Sequence, residues 1–269
     1  MERHPVILSI AGSDCSGGAG IQADIKTISA LGGYAASAIT AVTVQNTLGV
    51  RAVHAIPPEI VCGQIEAVME DLQPVAIKIG MVNDIQIVHV IADCIRKYSP
   101  EHIIYDPVMV DEAIEEIKKK LLPLVTLVTP NIDEAKVLTG KSIQNTQDML
   151  EAAKQLSDSY QIHILIKGGH LEGDQMCDLL YSPDHTYYIY EEKKIESKNL
   201  HGTGCTLSSA IASYLAKGYS MKESIRHAKE YITHAIIAGK DLNIGHGNGP
   251  LWHFPDSIAQ MCTFCAVVS

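Results

Sequence analysis

The sequence predicts an α/β protein with a mostly parallel central sheet, helices on both faces and a β-hairpin at the sheet edge. Three observations carry that class. Short apolar runs ending in Gly, Asp or Pro recur along the 269 residues. Stretches with helical spacing separate them, and one later segment breaks the alternation with two β-rich runs around a turn. Strand, helix, strand in succession implies a parallel sheet with crossover helices. With 46% apolar and 19% charged residues, the chain can bury a core of that kind. No linker, internal repeat or low-complexity tract divides it, so a single domain over residues 1–269 is expected.

"PVILSIAG" (5–12) opens the pattern as a strand buried on both faces. "GIQADIKTISAL" (20–31) follows, with Ile21, Ile25, Ile28 and Leu31 at helical spacing. "VAIKIG" (75–80), "HIIYDPVMV" (102–110), "LVTLVTP" (124–130) and "IHILIKGG" (162–169) repeat the strand signature. In "MCDLLYSPDHTYYIYEEKKI" (176–195) two β-rich runs flank a Ser-Pro-Asp turn, which predicts the antiparallel edge hairpin. Two helices are expected after it, over 203–217 and 220–239. The second carries Met221, Ile225, Ala228, Ile232 and Ala235 on one stripe.

Charge and cysteine usage exclude several function classes. Twenty-one basic against thirty-one acidic side chains give a net charge of −10, which disfavours nucleic acid and anionic membranes as partners. The opening "MERHPVILSIAGSD" lacks the features of a secretory leader, and no apolar run reaches the length of a membrane span, so a cytoplasmic location is expected. The seven cysteines, at 15, 62, 94, 177, 205, 262 and 265, are odd in number and scattered. They read as reduced thiols rather than a disulfide framework. "CTFC" (262–265) has the spacing of a metal or redox pair, but no second pair accompanies it, and it reads as inert.

In an open parallel sheet, ligands bind beyond the carboxyl ends of the strands. The polar residues placed there by the pattern are Gly12, Asp14 and Gly17 to Gly20, Gln45 and Asn46, Gly80 and Met81, then Asp106, Asn131, Glu134, Lys167 and Gly168. "HGTGCTLSSAIASYLA" (201–216) sets Gly202, Thr203, Gly204 and Cys205 at the mouth of a helix. Backbone N–H groups and the helix dipole there suit an anion, and the same field predicts a lowered pKa for Cys205. The alternative is a tight turn with a buried cysteine. No P-loop lysine follows "GSDCSGG" (12–18), which excludes ordinary P-loop chemistry. "GSDCSGGAG" (12–20), with Asp24 one turn into the next helix, is either a loop over a small substrate or a plain turn. Asn131 and Glu134 in "TPNIDEAKVL" share a helix face and either hold Mg²⁺ through water or form a capping box. Asp106 is a metal partner or a turn former, and Lys167 either covers phosphate charge or is solvated.

Taken together the motifs resemble a family. "SIAGSDCSGGAGIQADIKTISALGGY", "TAVTVQNTLGV", "KIGM", "DPVMV", "TPNIDEA", "KGGH", "HGTGCTLSSAI" and "GHGNGPLWHF" occur in order from residue 5 to about 254. The chain is thereby similar to the hydroxymethylpyrimidine/phosphomethylpyrimidine kinases of thiamin biosynthesis, in the ribokinase-like superfamily. The resemblance implies the three-layer ribokinase-like fold, ATP as co-substrate, Mg²⁺, a homodimer, and transfer of the γ-phosphate to an aminopyrimidine alcohol and then to its monophosphate. It assigns Gly202, Thr203, Gly204 and Cys205 to the anion hole. Asn131 and Glu134 would organise Mg²⁺, with Asp106 near it and Lys167 beside the phosphates. Gln45 would hydrogen-bond the pyrimidine, and Ala19, Asp24, Met81 and Val108 would shape its pocket.

Two features stand apart from that pattern. Sugar kinases of the superfamily carry an aspartate base where this chain has Cys205, whose role is base or anion hole. Family members also continue from "DPVMV" into a longer loop, whereas Val110 here runs into "DEAIEEIKKKL", roughly ten residues shorter, where loops of that type act as lids. The rival readings are a pyridoxal kinase and a non-catalytic binding protein for a vitamin precursor. Gln45 and "GHGNGP" (245–250) favour the pyrimidine, and Asn131, Glu134 and Cys205 favour catalysis over mere binding.

Overall fold

A computed structural model describes residues 4–82, 84–108, 113–169 and 175–255. The strands are β1 (Val6–Asp14), β2 (Tyr34–Asn46), β3 (Gly49–Ala55), β4 (Ala76–Ile79), β5 (His102–Tyr105), β6 (Leu127–Val128), β7 (His163–Lys167), β8 (Gln175–Tyr181) and β9 (Tyr187–Lys193). They form a nine-stranded sheet in the order β3-β2-β1-β4-β5-β6-β7-β8-β9. From β2 to β7 all neighbours are parallel, and the β2–β3, β7–β8 and β8–β9 pairs are antiparallel.

The helices are α1 (Gly20–Ala30), α2 (Pro58–Asp71), α3 (Ile85–Tyr98), α4 (Ile114–Glu116), α5 (Ile132–Thr139), α6 (Thr146–Tyr160), α7 (Thr203–Ala216) and α8 (Met221–Gly239). Strand alternation sorts them into two layers. Leu8 and Ile10 of β1, Ile103 and Tyr105 of β5, and Ile164 and Ile166 of β7 pack on α2, α3, α5 and α6. Ile7, Ile104 and Leu165 point the other way, onto α1, α7 and α8. Both faces of the central strands are therefore covered, which is why they read as unbroken apolar runs. Each fully buried Ile or Leu in these layers contributes about 1.5–3 kcal/mol.

The expected elements are present with shorter strands. The 102–110 run is a strand only over His102–Tyr105, and the 124–130 run only over Leu127–Val128. The hairpin, α7 and α8 lie where the sequence puts them. On the α8 stripe Ile225, Ala228, Ile232 and Ala235 are buried. The sequence reading missed β3, all of whose residues are exposed. It extends β2 beyond the core as a second antiparallel edge, and a strand with no buried face leaves no period-2 signal. The link after Val110 and the "CTFC" pair lie outside the described residues. Among the described residues no helix is long and apolar enough to cross a membrane.

Away from any ligand-facing surface, Asn145 caps α6 by accepting a hydrogen bond from the Asp148 N–H at 2.9 Å. Asn145→Ala is expected to cost about 1 kcal/mol, read as a lowered urea midpoint at unchanged slope. An unmoved midpoint would contradict this assignment of the cap.

Candidate active site

The mouth of α7 is built from glycine because the chain has no room for anything else. Gly202 has φ +85°, in the left-handed region, and a Cβ there would run into the carbonyl oxygen of Gly18. No side chain caps α7, and no acidic residue stands in its first turn. Thr203 turns its N–H and its hydroxyl back to the Leu200 carbonyl. The amides of Gly204 and Cys205 are thus the first that the dipole of α7 presents to the cavity they line.

Beneath Gly204 lies an ion pair. The Lys167 Nζ, at the end of β7, sits 2.8 Å from Asp106 Oδ1, at the end of β5. A Cβ on Gly204 would come within 3.3 Å of Asp106 Oδ2 and 3.4 Å of Lys167 Nζ. Thr129 Oγ1 donates to Asp106 Oδ1 at 3.0 Å and Ser208 Oγ to Oδ2 at 3.4 Å. Burial opposes the charge on Asp106, but Lys167 first, then Lys78, hold its carboxyl below the usual range. Burial likewise opposes the Lys167 ammonium, which Asp106 and Glu134 nevertheless keep above its ordinary value. Lys167 is therefore a charged group at the cavity wall and not a solvated strand end.

Asn131 and Glu134 do form the capping box of α5. Asn131 Oδ1 accepts from the Glu134 N–H at 2.9 Å, and Glu134 Oε2 accepts from the Asn131 N–H at 2.7 Å. Both also line the cavity, so the two sequence alternatives are compatible. Burial foremost, helped by the Asp106 and Asp133 carboxylates, pushes the Glu134 carboxyl up to about 7 against the pull of Lys167. Among the described residues no cluster of three or more His, Cys, Asp or Glu is arranged to hold a metal.

The glycine-rich loop after β1 is organised by Asp14. Its carboxylate accepts from Ser16 N–H and Oγ at 2.8 and 2.7 Å, and from the Gly18 and Ala19 N–H groups at 3.1 and 2.9 Å. The His201 Nε2 is 2.9 Å from the same carboxylate. Despite partial burial, the Ser16, His201 and backbone donors hold Asp14 below its ordinary pKa. An ionised carboxylate only accepts, so His201 Nε2 carries the proton. Gln45, on the end of β2, approaches the same ring at 3.2 Å and takes the Thr43 hydroxyl at 3.2 Å. His201 thereby joins the loop to the mouth of α7, while the Gln45 amide nitrogen, itself a donor, only packs against its ring.

The cavity at this rim measures about 620 Å³, within the usual range for a small-molecule site. It brings together Ala19, Asp106, Val108, Asn131, Glu134, Lys167, Gly202, Thr203, Gly204 and Cys205. Gln45 and Met81 stand outside its lining. Asp24 corrects the sequence expectation: it is wholly buried, and Lys78, Ser9 and Ser209 occupy its carboxylate. A carboxylate engaged in this way supports the pocket from beneath. Cys205 is a second correction, because burial raises its thiol pKa beyond what Lys78 and the Gly20 N–H take back. The helix-mouth field expected from sequence is outweighed by desolvation.

Sequence reasoning missed part of the cavity lining, to which Met176, Ile195, Leu200, Leu207, Ile232 and Ile236 bring apolar surface. These residues come from β8, the segment after β9, α7 and α8, and no local spacing unites them. It also missed His201, which lay unused inside the quoted "HGTGCT", and Lys78, signalled only by a lysine within the apolar run "VAIKIG".

Residues 14–252 match the family model described as phosphomethylpyrimidine kinase. A hydroxymethylpyrimidine/phosphomethylpyrimidine kinase of Rhizobium meliloti is 46% identical over 259 residues, covering 93% of this chain and 97% of that protein. A phosphomethylpyrimidine kinase of Clostridium difficile superposes with a TM-score of 0.78 at 44% identity, over 86% of this chain and 99% of that one. Bacillus subtilis pyridoxal kinase, solved as an ADP complex, gives a TM-score of 0.88 at 34% identity, over 95% of this chain and 100% of that one.

The fit at Gly202 yields a direct test. Gly202→Ala forces the turn off the Gly18 carbonyl and misaims the amides of Gly204 and Cys205. Hydrogen bonds to charged groups are worth about 1.5–3 kcal/mol each, so calorimetric titration should show a non-hydrolysable ATP analogue binding at least about tenfold more weakly. Unchanged affinity would contradict that role for the turn.

Proposed function

Because the chain belongs to the phosphomethylpyrimidine kinase family, we propose that it phosphorylates 4-amino-5-hydroxymethyl-2-methylpyrimidine and then its monophosphate, with ATP as the donor. One observation carries the reading. The uncapped mouth of α7 lies directly over the Lys167–Asp106 pair, inside a cavity that apolar side chains also line. An adenine ring suits the wall of Met176, Ile195, Leu207, Ile232 and Ile236, and the phosphates then run toward Lys167 and the amides of Gly204 and Cys205. The aminopyrimidine sits under the loop after β1, with Ala19 and Val108 at its edge, Met81 nearby and the Gln45 amide toward the ring.

Phosphoryl transfer passes through a loose transition state, so positioning and charge stabilisation carry most of the rate. The substrate alcohol attacks the γ-phosphorus in line, and the equatorial oxygens meet the two amides and the Lys167 ammonium. The alcohol gives up its proton late, to an oxygen of the arriving phosphoryl group, as the bond from the γ-phosphorus to ADP breaks. Burial keeps Cys205 a thiol, which supports a place in the anion hole over that of a preformed thiolate base.

The donor set fits Mg²⁺. Glu134 is a hard oxygen ligand lining the cavity with a carboxyl raised by burial, a state that a bound cation relieves. Glu134 would hold the ion through water, with Asn131 beside it, while the place against Asp106 is already taken by Lys167. When bound, the ion neutralises charge on the β- and γ-phosphates.

The unit is one domain over residues 1–269, cytoplasmic and homodimeric. One sheet runs through the described chain, and its cysteines there are free thiols. The outer edge strand β3 with the end of β2 exposes Val42, Val44, Leu48, Val50 and Val53. An unpaired edge carrying such a patch supports self-association.

An assay of the hydroxymethylpyrimidine, its monophosphate and pyridoxal side by side with Mg-ATP tests the substrate. The first two should be turned over with the higher kcat/KM. Preference for pyridoxal, which the TM-score of 0.88 to a pyridoxal kinase makes the specific rival, would overturn it. Cys205→Ala keeps the backbone amide and removes only the thiol, so kcat is expected to fall by less than the roughly 10²-fold of a lost general base, and a fall of about 10²-fold or more would make the thiol the proton acceptor.

A further inference from the structure

The loop after β1 and the residues that lead into α7 are held face to face around one imidazole. The Asp14 carboxylate accepts four hydrogen bonds from its own loop, two from Ser16 and one each from the Gly18 and Ala19 N–H groups. Among the described residues, the donor on it that comes from elsewhere in the chain is His201, with Nε2 at 2.9 Å. The ring lies against Gly18, where a Cβ would run into its Cδ2 atom, and a Cβ on the next residue, Gly202, would run into the Gly18 carbonyl oxygen. Glycine on both sides therefore lets the loop and the mouth of α7 meet backbone to backbone beside the ring. Ala19 from the loop and Gly202, Thr203 and Gly204 from the mouth line the same cavity.

His201 is itself fixed from behind. Its N–H donates to the Gly249 carbonyl at 3.0 Å, and the Leu200 N–H donates to Asn248 Oδ1 at 3.1 Å. The Asn248 N–H in turn reaches the Thr47 carbonyl at 2.9 Å, at the turn from β2 to β3, and Thr47 Oγ1 accepts from the His246 and Gly247 N–H groups, each at 3.1 Å. The backbone ahead of α7 is thus anchored, and the His201 side chain reaches from it to the loop. The loop's own donors suffice to shape the loop. The fifth, from His201, fixes where the loop stands relative to α7, through a hydrogen bond to an ionised carboxylate, one of the stronger kinds.

We propose that His201 is a positioning residue for phosphoryl transfer: bound to Asp14, it sets the distance between the loop that covers the acceptor alcohol and the α7 amides that receive the phosphoryl group. The inference rests on the reading of that mouth as the phosphoryl site and of that loop as the cover of the pyrimidine. In this role His201 moves no proton and touches no reacting atom. Reactants held on two separate elements react only while those elements keep their register, and a misplacement of about 1 Å costs on the order of 10²-fold in rate.

The test is amide hydrogen exchange of the loop, read by mass spectrometry on the full chain, alongside kcat and both KM values with Mg-ATP and the hydroxymethylpyrimidine. His201→Leu should speed exchange at residues 16–19 about tenfold, through loss of a hydrogen bond to a charged group. It should lower kcat about tenfold or more and move the KM for ATP by less than about twofold, because the α7 amides and Lys167 stay in place. His201→Gln can set an amide N–H close to the position of Nε2 and should restore most of both losses. Where His201→Leu does not fold, His201→Asn, too short to reach Asp14, gives the same contrast with His201→Gln. Unchanged loop exchange, or faster exchange with unchanged kcat, would overturn the proposal. So would a His201→Gln variant no better than the others, or an ATP KM that rises as steeply as kcat falls. Failure of the site reading looks different: the parent then phosphorylates none of the alcohols while loop exchange still separates the variants, which removes the catalytic part and keeps the clamp.

Discussion

A lysine taken out of water keeps its charge only beside an anion, and the ligand-facing rim of this protein is built around that constraint. Lys167 with Asp106, Lys78 with Asp24 and Lys229 with Asp178 are lysine–aspartate pairs that line or underlie the cavity. Each crosses between elements distant in sequence, so each also fixes how those elements meet. The Lys229–Asp178 pair illustrates this: Lys229 on α8 is 2.5 Å from Asp178 on β8, whose other oxygen accepts from the Gly168 N–H. The loop after Lys167 is thereby held by a charge pair of its own. Lose the Lys167–Asp106 pair, and the mouth of α7 has neither its floor nor its nearest cation.

The arrangement explains why the site tolerates a cysteine where an aspartate base would be expected of a sugar kinase. Asp106 and Glu134 already set acidic groups at the rim, and Glu134 is raised toward neutrality as a result of its burial. A further carboxylate would compete for the same lysines. A thiol that burial keeps protonated adds no charge, and leaves the proposed phosphate site to the dipole of α7 and the Lys167 ammonium. Catalysis of this kind depends on preorganised charge more than on a strong base.

Much of this was legible in the sequence, for reasons that differ by residue. Runs buried on both faces, such as "IHILIKGG", declare a parallel sheet because both layers demand apolar side chains. The Ser-Pro-Asp turn declared the hairpin, and Gly202 and Gly204 declared the helix mouth. What pattern could not supply was depth. Asp24 follows a glycine-rich loop and looks ligand-facing, yet it points into the core, a fact set by Lys78 some fifty residues later. Cys205 illustrates the same gap, since its helix-mouth position argues for a lowered pKa while its burial decides the opposite. The apolar part of the cavity lining, Met176, Ile195, Leu207 and Ile232, is brought together only by the fold, and β3 left no trace because all of its residues are exposed.

The claim on which the rest depends is that the backbone amides at the start of α7 receive the migrating phosphate. A crystal structure with Mg²⁺ and a non-hydrolysable ATP analogue measures this directly. The account predicts the terminal phosphate within hydrogen-bond reach of the Gly204 and Cys205 N–H groups and beside Lys167 Nζ. A terminal phosphate settled elsewhere, out of reach of that turn, would contradict it.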